Sequence, residues 1–376
     1  MKTHRVLSAI TTLSALILGL ASCGEHPRDA NKSDIVWIKN AYATLFRVGY
    51  SGTDSFLELY TDAQSKKIAG AFHWGTSAAI QGYEKLKDRS KIVSLSAIHT
   101  GMLAELNAHR HLVGVESRKY IAHPLLQEKS TINSLSEVAP DGPILPEKLA
   151  FCNPTLLFGT LSSIEDKQAI ERQAKGKFSV LWCNNHLENH PLGRAEWIIA
   201  FGWVMGKAEK AQGQFNTVKK DYESLVVEAK KSAGTHPKVI TNCVYNGMWF
   251  VPQYSSYVSQ FIRDAGGEPI TAETGTGSNV VSIEKAIGLF SEADIWINTD
   301  LCTTLSCLKA SDPRVEHIKA FRLGKVYHFN RQLQANGSNP YWDMGCIYPN
   351  RILSDLFHIF KDDLHSESAY YYDICE

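Results

Sequence analysis

The chain has 376 residues, with 39 lysines and arginines set against 39 aspartates and glutamates. That balance excludes a bulk electrostatic attraction for nucleic acid or an anionic membrane, so any partner is recognised locally. The length suits two lobes of ordinary size rather than one core.

Lys2 and Arg5 precede a charge-free stretch from Val6 to Leu20, the charged-then-apolar order of an export signal. It is too short to span a bilayer, which takes roughly 20 apolar residues. Leu20, Ala21, Ser22 and Cys23 look like a bacterial lipobox, in which the cysteine thiol receives a diacylglycerol. Residues 1–22 therefore read as a lipoprotein signal peptide, Cys23 as the lipidated residue and 23–33 as a polar tether to a membrane surface. Seven cysteines remain, an odd number, and several sit in apolar runs as small buried hydrophobes. Cys302 and Cys307 are the one pair close in sequence and a candidate bridge. The cysteine spacings offer no structural zinc site.

From Lys91 the chain alternates short apolar runs with helical spacing: "KIVSLSAI", "TGMLAELNAH", "HLVGVES", then "PTLLFGT" and "FSVLWC". This is the pattern of parallel strands with crossover helices. It restarts after residue 236 with "KVITNCVY", "SSYVSQFIRDAGG", "PITAE", "ADIWINT" and "GKVYHFN", so an α/β fold of two lobes is expected. Residues 146–160 and 283–299 echo one another, which sets Glu147 and Glu284 at matching points of the two lobes.

Between the lobes, Ala208, Ala211, Phe215, Val218, Tyr222, Leu225 and Ala229 recur at steps of three and four. That is one apolar stripe on a helix long enough to reach from lobe to lobe. "SAGTHP" stops it, with Gly234 as the cap and Pro237 beyond. The expected division is an N-terminal lobe over 34–206, a spanning helix over 207–233 and a C-terminal lobe over 234–376.

Four segments carry a family resemblance: "SKIVSLSAIHTGMLAELNAHRHLVGVES", "LPEKLAFCNPTLLFG", "GRAEWIIAFGWVMGKAEKA" and "NPYWDMGCIYPNRILSDLFHIF". In their order and spacing over residues 90 to 365 the chain resembles the class III substrate-binding lipoproteins of ABC importers for iron chelates, haem and corrinoids. Residues 34–89 resemble strands added at the N-terminus in one branch of that family. The resemblance implies two Rossmann-like lobes joined by a single rigid helix, a ligand held between them and limited closure on binding. It implies a monomer in the periplasm or cell envelope, lipid-anchored, that serves an inner-membrane ABC permease. It implies no catalysis and no permanently bound cofactor, the transported metal chelate itself containing iron or cobalt. In this family a glutamate on each lobe docks onto permease arginines, and Glu147 and Glu284 fall on those positions; as bare sequence, each is also a helix-starting acid favoured by the helix dipole.

Ligand residues in such a fold sit at the C-terminal ends of strands. In the N-terminal lobe these are Ile98 and His99, Arg118 to His123, Thr160 to Ser162, and Asn184 to His186; in the C-terminal lobe, Met248 to Tyr257, Thr299 to Leu301, and Asn330 to Trp342. Trp249 and Tyr254 are the expected ring faces for a broad, flat ligand. Tyr120 and His123 are candidate ligands to a bound metal, a phenolate and an imidazole. Arg331 is a candidate partner for an anionic chelate through its bidentate fork. Thr160, His186 and Trp342 complete the predicted wall. The pair His109 and His111 lacks a third ligand nearby and reads as solvated.

Other readings of two α/β lobes around a cleft are a chelatase-like enzyme acting on a tetrapyrrole, a receptor for free zinc or manganese, and a surface receptor that hands its ligand to an outer-membrane transporter. No GxSxG, HExxH or P-loop signature supplies a nucleophile or base for the first.

Overall fold

The structure is a computed structural model that describes residues 34–140, 142–160, 164–231 and 236–376. Cys23, with the predicted signal and tether, and Ser162 lie outside the described residues.

The chain opens with a five-stranded sheet, β1 (Val36–Trp37), β2 (Phe46–Ser51), β3 (Asp54–Tyr60), β4 (Ile68–Trp74) and β5 (Glu84–Lys85), antiparallel except at its last pair. Two buried carboxylates fasten it to the helix Pro191–Val204 and the turn before it. Glu196 accepts the backbone N–H groups of Ala41, Tyr42 and Ala43 at 2.6 to 2.7 Å, and Glu188 accepts those of Thr44 and Leu45 at 2.9 Å. Acceptors satisfied this way keep an otherwise costly buried charge hydrogen-bonded.

Next come β6 (Ile92–Ser94), β7 (Leu112–Val115), β8 (Ser136–Glu137), β9 (Leu156–Gly159) and β10 (Ser179–Trp182), which form a parallel sheet in the order β10-β9-β6-β7-β8. All of Leu156–Gly159 is buried, as expected for a strand covered on both faces. The order reverses between β6 and β9, the topological switch point of a doubly wound sheet.

Eight strands follow: β11 (Lys238–Thr241), β12 (Val244–Tyr245), β13 (Met248–Pro252), β14 (Glu268–Pro269), β15 (Ser278–Ser282), β16 (Ile295–Ile297), β17 (Val326–His328) and β18 (Asp373–Ile374). The second lobe is the sheet β14-β11-β16-β17-β18, parallel but for β18, and its switch point lies between β11 and β16. β12, β13 and β15 make a small antiparallel sheet that grows from the C-terminal end of β11. The sequence segment "PITAE" contributes only its first residue to a strand, Pro269 of β14. Near the end of the chain, the buried Asp355 gathers the backbone N–H groups of Tyr370, Tyr371 and Tyr372 and so brings the chain back to β18.

One helix, Ala208–Lys231, joins the sheets. Its 24 residues extend about 36 Å. Its buried face, Ala211, Phe215, Val218, Tyr222 and Ala229, is the stripe legible in the sequence. It packs on the helix Pro191–Val204 of the first lobe and on Pro349–Phe360 of the second. Gly202 allows the first contact, since a Cβ there would collide with the Cβ of Ala211. Tyr222 donates a hydrogen bond to Asp264 of the helix Tyr257–Asp264 at 2.7 Å, which ties the second lobe to the strut as well.

The lobes also touch directly. The helix Ala97–Glu105 packs on Pro340–Ile347, and Met102 and Leu103 share one apolar core with Ile347, Leu353 and Leu356. The two halves are thus held together by a shared apolar core as well as by the strut.

Candidate ligand cleft

Segments that follow strands of the two parallel sheets meet. The loop after β7 meets the loop after β17 and the helix Pro340–Ile347 that follows it: the Ala122 N–H donates to Asp343 Oδ2 of the helix at 3.1 Å, and Gln334 Nε2 of the loop donates to the Ala122 carbonyl at 3.1 Å. At the switch point of the first sheet a cavity of about 150 Å³ is lined by Ser96 after β6, Glu116 after β7 and Thr160 after β9. A larger cavity of about 630 Å³ lies elsewhere, between the first, antiparallel sheet and β10.

Rings border the loops of both lobes. Tyr120, in the loop after β7, is about half exposed with the Lys119 ammonium 4.9 Å above it. Trp342 is 60% exposed and is fixed by edge contacts with Phe329 and Tyr341, each at 5.1 Å. Its helix starts where it does because Asn339 caps it, accepting the Tyr341 N–H at 3.0 Å while its amide donates to Asn330. Tyr254 is about half exposed beneath the Arg263 guanidinium, 4.3 Å from the ring centroid.

Trp249 is a correction. It is 0% exposed, donates its indole N–H to the Thr241 carbonyl at 2.9 Å, meets Phe290 edge-on and packs at a tilt against Trp296. Side chains alternate along β13, so Trp249 and Val251 turn into the core while Met248 and Phe250 turn out. Phe250, with Tyr245 and Val280 beside it, is the exposed apolar face of the small sheet. Both faces of β13 carry apolar residues, which is why the sequence did not separate them.

His123 is also corrected as a metal ligand. It is almost fully buried, its Nε2 sits 3.2 Å from Glu105 and its Nδ1 accepts the Leu125 N–H as a helix cap. Neither ring nitrogen is left for a metal. Arg331 is engaged too, with its guanidinium 3.1 Å from Asp373. His186 is half buried with Nδ1 turned inward and unpartnered, and burial first, then the nearby Arg194, holds its pKa below the ordinary value. His99 lies wholly inside, its Nε2 2.8 Å from Asn185 Oδ1, and burial lowers its pKa to about 4. Thr160 faces the switch-point cavity, its hydroxyl 3.5 Å from the Leu95 carbonyl.

Glu116 was not singled out in the sequence. It is half buried at the end of β7, and burial raises its carboxyl pKa. Only its place at a strand end, next to the flagged loop 118–123, could have suggested it.

Glu147 and Glu284 occupy equivalent positions, each exposed in the first turn of a helix, Pro146–Cys152 and Ile283–Phe290. Glu284 pairs with Arg314 at 2.5 Å, and that hydrogen bond is the chief reason its pKa is lowered. Cys302 and Cys307 form a disulfide, and Cys152, Cys183, Cys243, Cys346 and Cys375 are free thiols. Among the described residues no group of three or more His, Cys, Asp or Glu side chains converges to hold a metal ion, and no helix is long and apolar enough to cross a membrane.

Solved structures with this fold include a periplasmic haem-binding protein from Pseudomonas aeruginosa, 16% identical, with a TM-score of 0.58 over 76% of this chain and 98% of that one. A periplasmic binding protein from Veillonella parvula is 16% identical, with a TM-score of 0.59 over 82% of this chain and 98% of its own. A periplasmic haem-binding protein from Vibrio cholerae is 17% identical, with a TM-score of 0.55 over 71% and 99%. An uncharacterized lipoprotein from Methanocaldococcus jannaschii is 30% identical over 187 residues, which span 49% of this chain and 41% of that protein. The periplasmic binding protein family matches residues 92–333, from β6 through both sheets and the helix that joins them, and the chain belongs to that family.

Proposed function

We propose that this protein is a solute-binding lipoprotein of the cell envelope that captures a bulky metal chelate between its lobes and delivers it to an inner-membrane ABC importer. What supports the reading is the contact between the two lobes at Ala122 and Asp343, together with the exposed rings of Tyr120, Phe250, Tyr254 and Trp342. Flat ring faces at the strand ends suit a macrocycle or an aromatic chelate. The haem-binding proteins that share the fold support the same ligand class by analogy. In this reading Tyr120 is the remaining candidate for a protein ligand to the chelated metal, and Glu147 and Glu284 dock the loaded protein on the permease.

Absorption titration of the purified protein with haem, a corrinoid, a ferric siderophore and free zinc tests the proposal. Saturable binding of one chelate class at about one per chain is expected. Tight binding of free zinc with none of any chelate, or turnover of porphyrin and ferrous iron to metallated product, would replace it.

A further inference from the structure

The cavity beside the first sheet, away from the meeting of the lobes, has the make-up of a second binding site. It holds about 630 Å³, within the roughly 300–1,000 Å³ usual for small-molecule pockets, and lies between the β4 and β5 side of the first sheet and the edge strand β10. One wall falls within residues 69–88, which precede the segment that matches the family. The added sheet therefore builds this cavity by lying against the family fold.

Its floor is apolar and its rim is cationic. Phe72, Ala174 and Trp182 are buried along it, and Ala71, Phe178 and Val180 are half-buried. Lys87, Lys175 and Lys177 line it, are exposed, and form no ion pair among the described residues. Lys85 stands with them, its ammonium donating to the Ser77 carbonyl at 2.6 Å. The acids of the lining are each engaged inside the protein: Glu84 by the Ser179 hydroxyl, Asp88 by the Ser90 N–H at 2.8 Å, and Glu171 by the Trp182 indole N–H and by Lys167, both at 3.3 Å. β10 adds donors of its own. Its Ser179 N–H and the following Cys183 N–H reach carbonyls beside and on β9, so the alternate residues Val180 and Trp182 turn their N–H groups to the open edge. Lys175 and Lys177 follow the helix Ile164–Ala174, where positive charge offsets the terminal carbonyls. That role leaves Lys87 unexplained, because it comes from the opposite wall.

We infer that this cavity binds an organic anion with an apolar body, of the fatty-acid class, with its chain along Phe72, Val180 and Trp182 and its acidic head among Lys87, Lys175 and Lys177. Burial of the chain supplies the affinity, and the lysines decide which end faces out. An inorganic anion lacks the first contribution and a cationic amphiphile reverses the second. The site is separate from the one between the lobes and does not rest on the chelate reading.

The test uses the full-length protein and the fluorescent probe 1-anilinonaphthalene-8-sulfonate, itself an apolar anion, displaced in turn by dodecanoate, dodecyltrimethylammonium and inorganic phosphate. Dodecanoate should displace it at about one per chain, and the other two should be weaker by about tenfold or more. Lys175→Glu with Lys177→Glu should weaken dodecanoate by about tenfold, and Lys87→Glu, from the other wall, should weaken it too. Lys210→Glu with Lys230→Glu makes the same change of charge on the joining helix and should leave the isotherm as it was. All of these side chains are exposed, so the melting curves should match the wild type. No displacement by dodecanoate overturns the inference, as does displacement by phosphate or the cationic amphiphile at equal strength. Undiminished affinity in the Lys175→Glu, Lys177→Glu protein, or equal weakening in the control pair, overturns the placement in this cavity. Failure to bind any chelate bears on the carrier reading and leaves this site standing.

Discussion

Asp343, on the second lobe, accepts the backbone N–H of Ala122, on the first, at 3.1 Å. The carboxylate is 1% exposed and also accepts its neighbour Met344's N–H at 2.7 Å. Burial pushes its pKa up from 3.8 to about 6. An acid raised in the fold contributes stability that is complete below its unfolded pKa and is lost as pH rises through the folded one. Between pH 4 and pH 6 this residue therefore makes the protein less stable, by at most about 3 kcal/mol at 1.36 kcal/mol per unit. Asp343→Asn keeps an acceptor for Ala122 without the charge. Urea midpoints should show the variant gaining on the wild type at pH 7.5 relative to pH 4.5; an equal difference at both pH values contradicts the assignment.

His99 acts with the opposite sign. Its ring is wholly buried, with Nδ1 unpartnered, and burial depresses its pKa to about 4. The unfolded histidine charges near its ordinary value of 6.5, so stability present above that pH is lost as pH falls toward 4. His99→Leu should flatten the wild-type loss between pH 6.5 and 4.5, read as the slope of melting temperature against pH. A slope identical to the wild type would mean that another group carries the acid sensitivity.

Trp249 and Phe250 divide stability from binding. Trp249→Ala leaves a hole between Phe290 and Trp296 and should cost about 3–5 kcal/mol in chemical unfolding. Phe250→Ala and Trp342→Ala remove exposed rings; their stability should stay within about 1 kcal/mol while chelate affinity falls. A stable Trp249→Ala protein that has lost its ligand would return Trp249 to the cleft wall.

The docking role proposed for Glu147 and Glu284 predicts a separation of functions. Charge reversal of both to arginine should abolish chelate uptake by cells or by permease-containing vesicles while leaving the binding isotherm unchanged. Replacing Glu284 also breaks its ion pair with Arg314, which keeps its bonds to Asp312, so the single Glu147→Arg variant is the cleaner readout. Normal uptake in the double variant removes both residues from the interface.

How legible was this protein? The stripe from Ala211 to Ala229 predicted the joining helix because one face is buried and the others are solvated, the condition under which a 3.6-residue period is visible. The parallel strands were visible for the opposite reason: buried on both faces, they are unbroken apolar runs such as Leu156–Gly159. The site was harder to read. Trp249 and Phe250 differ in exposure only through the pleat of β13, and two adjacent aromatics carry no mark of which is outward. His123 looked like a free loop imidazole because its partner Glu105 lies 18 residues away on another element. Glu188 and Glu196 hold the first sheet through contacts more than 140 residues distant, which local pattern does not encode.

Hydrogen exchange with and without bound chelate tests the central claim most directly, because a ligand held between lobes must slow exchange on both at once. Protection is predicted at residues 116–120 of the first lobe together with 248–254 and around 342 of the second. Slowing confined to a single lobe, or to the cavity between the first sheet and β10, would contradict a ligand shared by the two sheet ends.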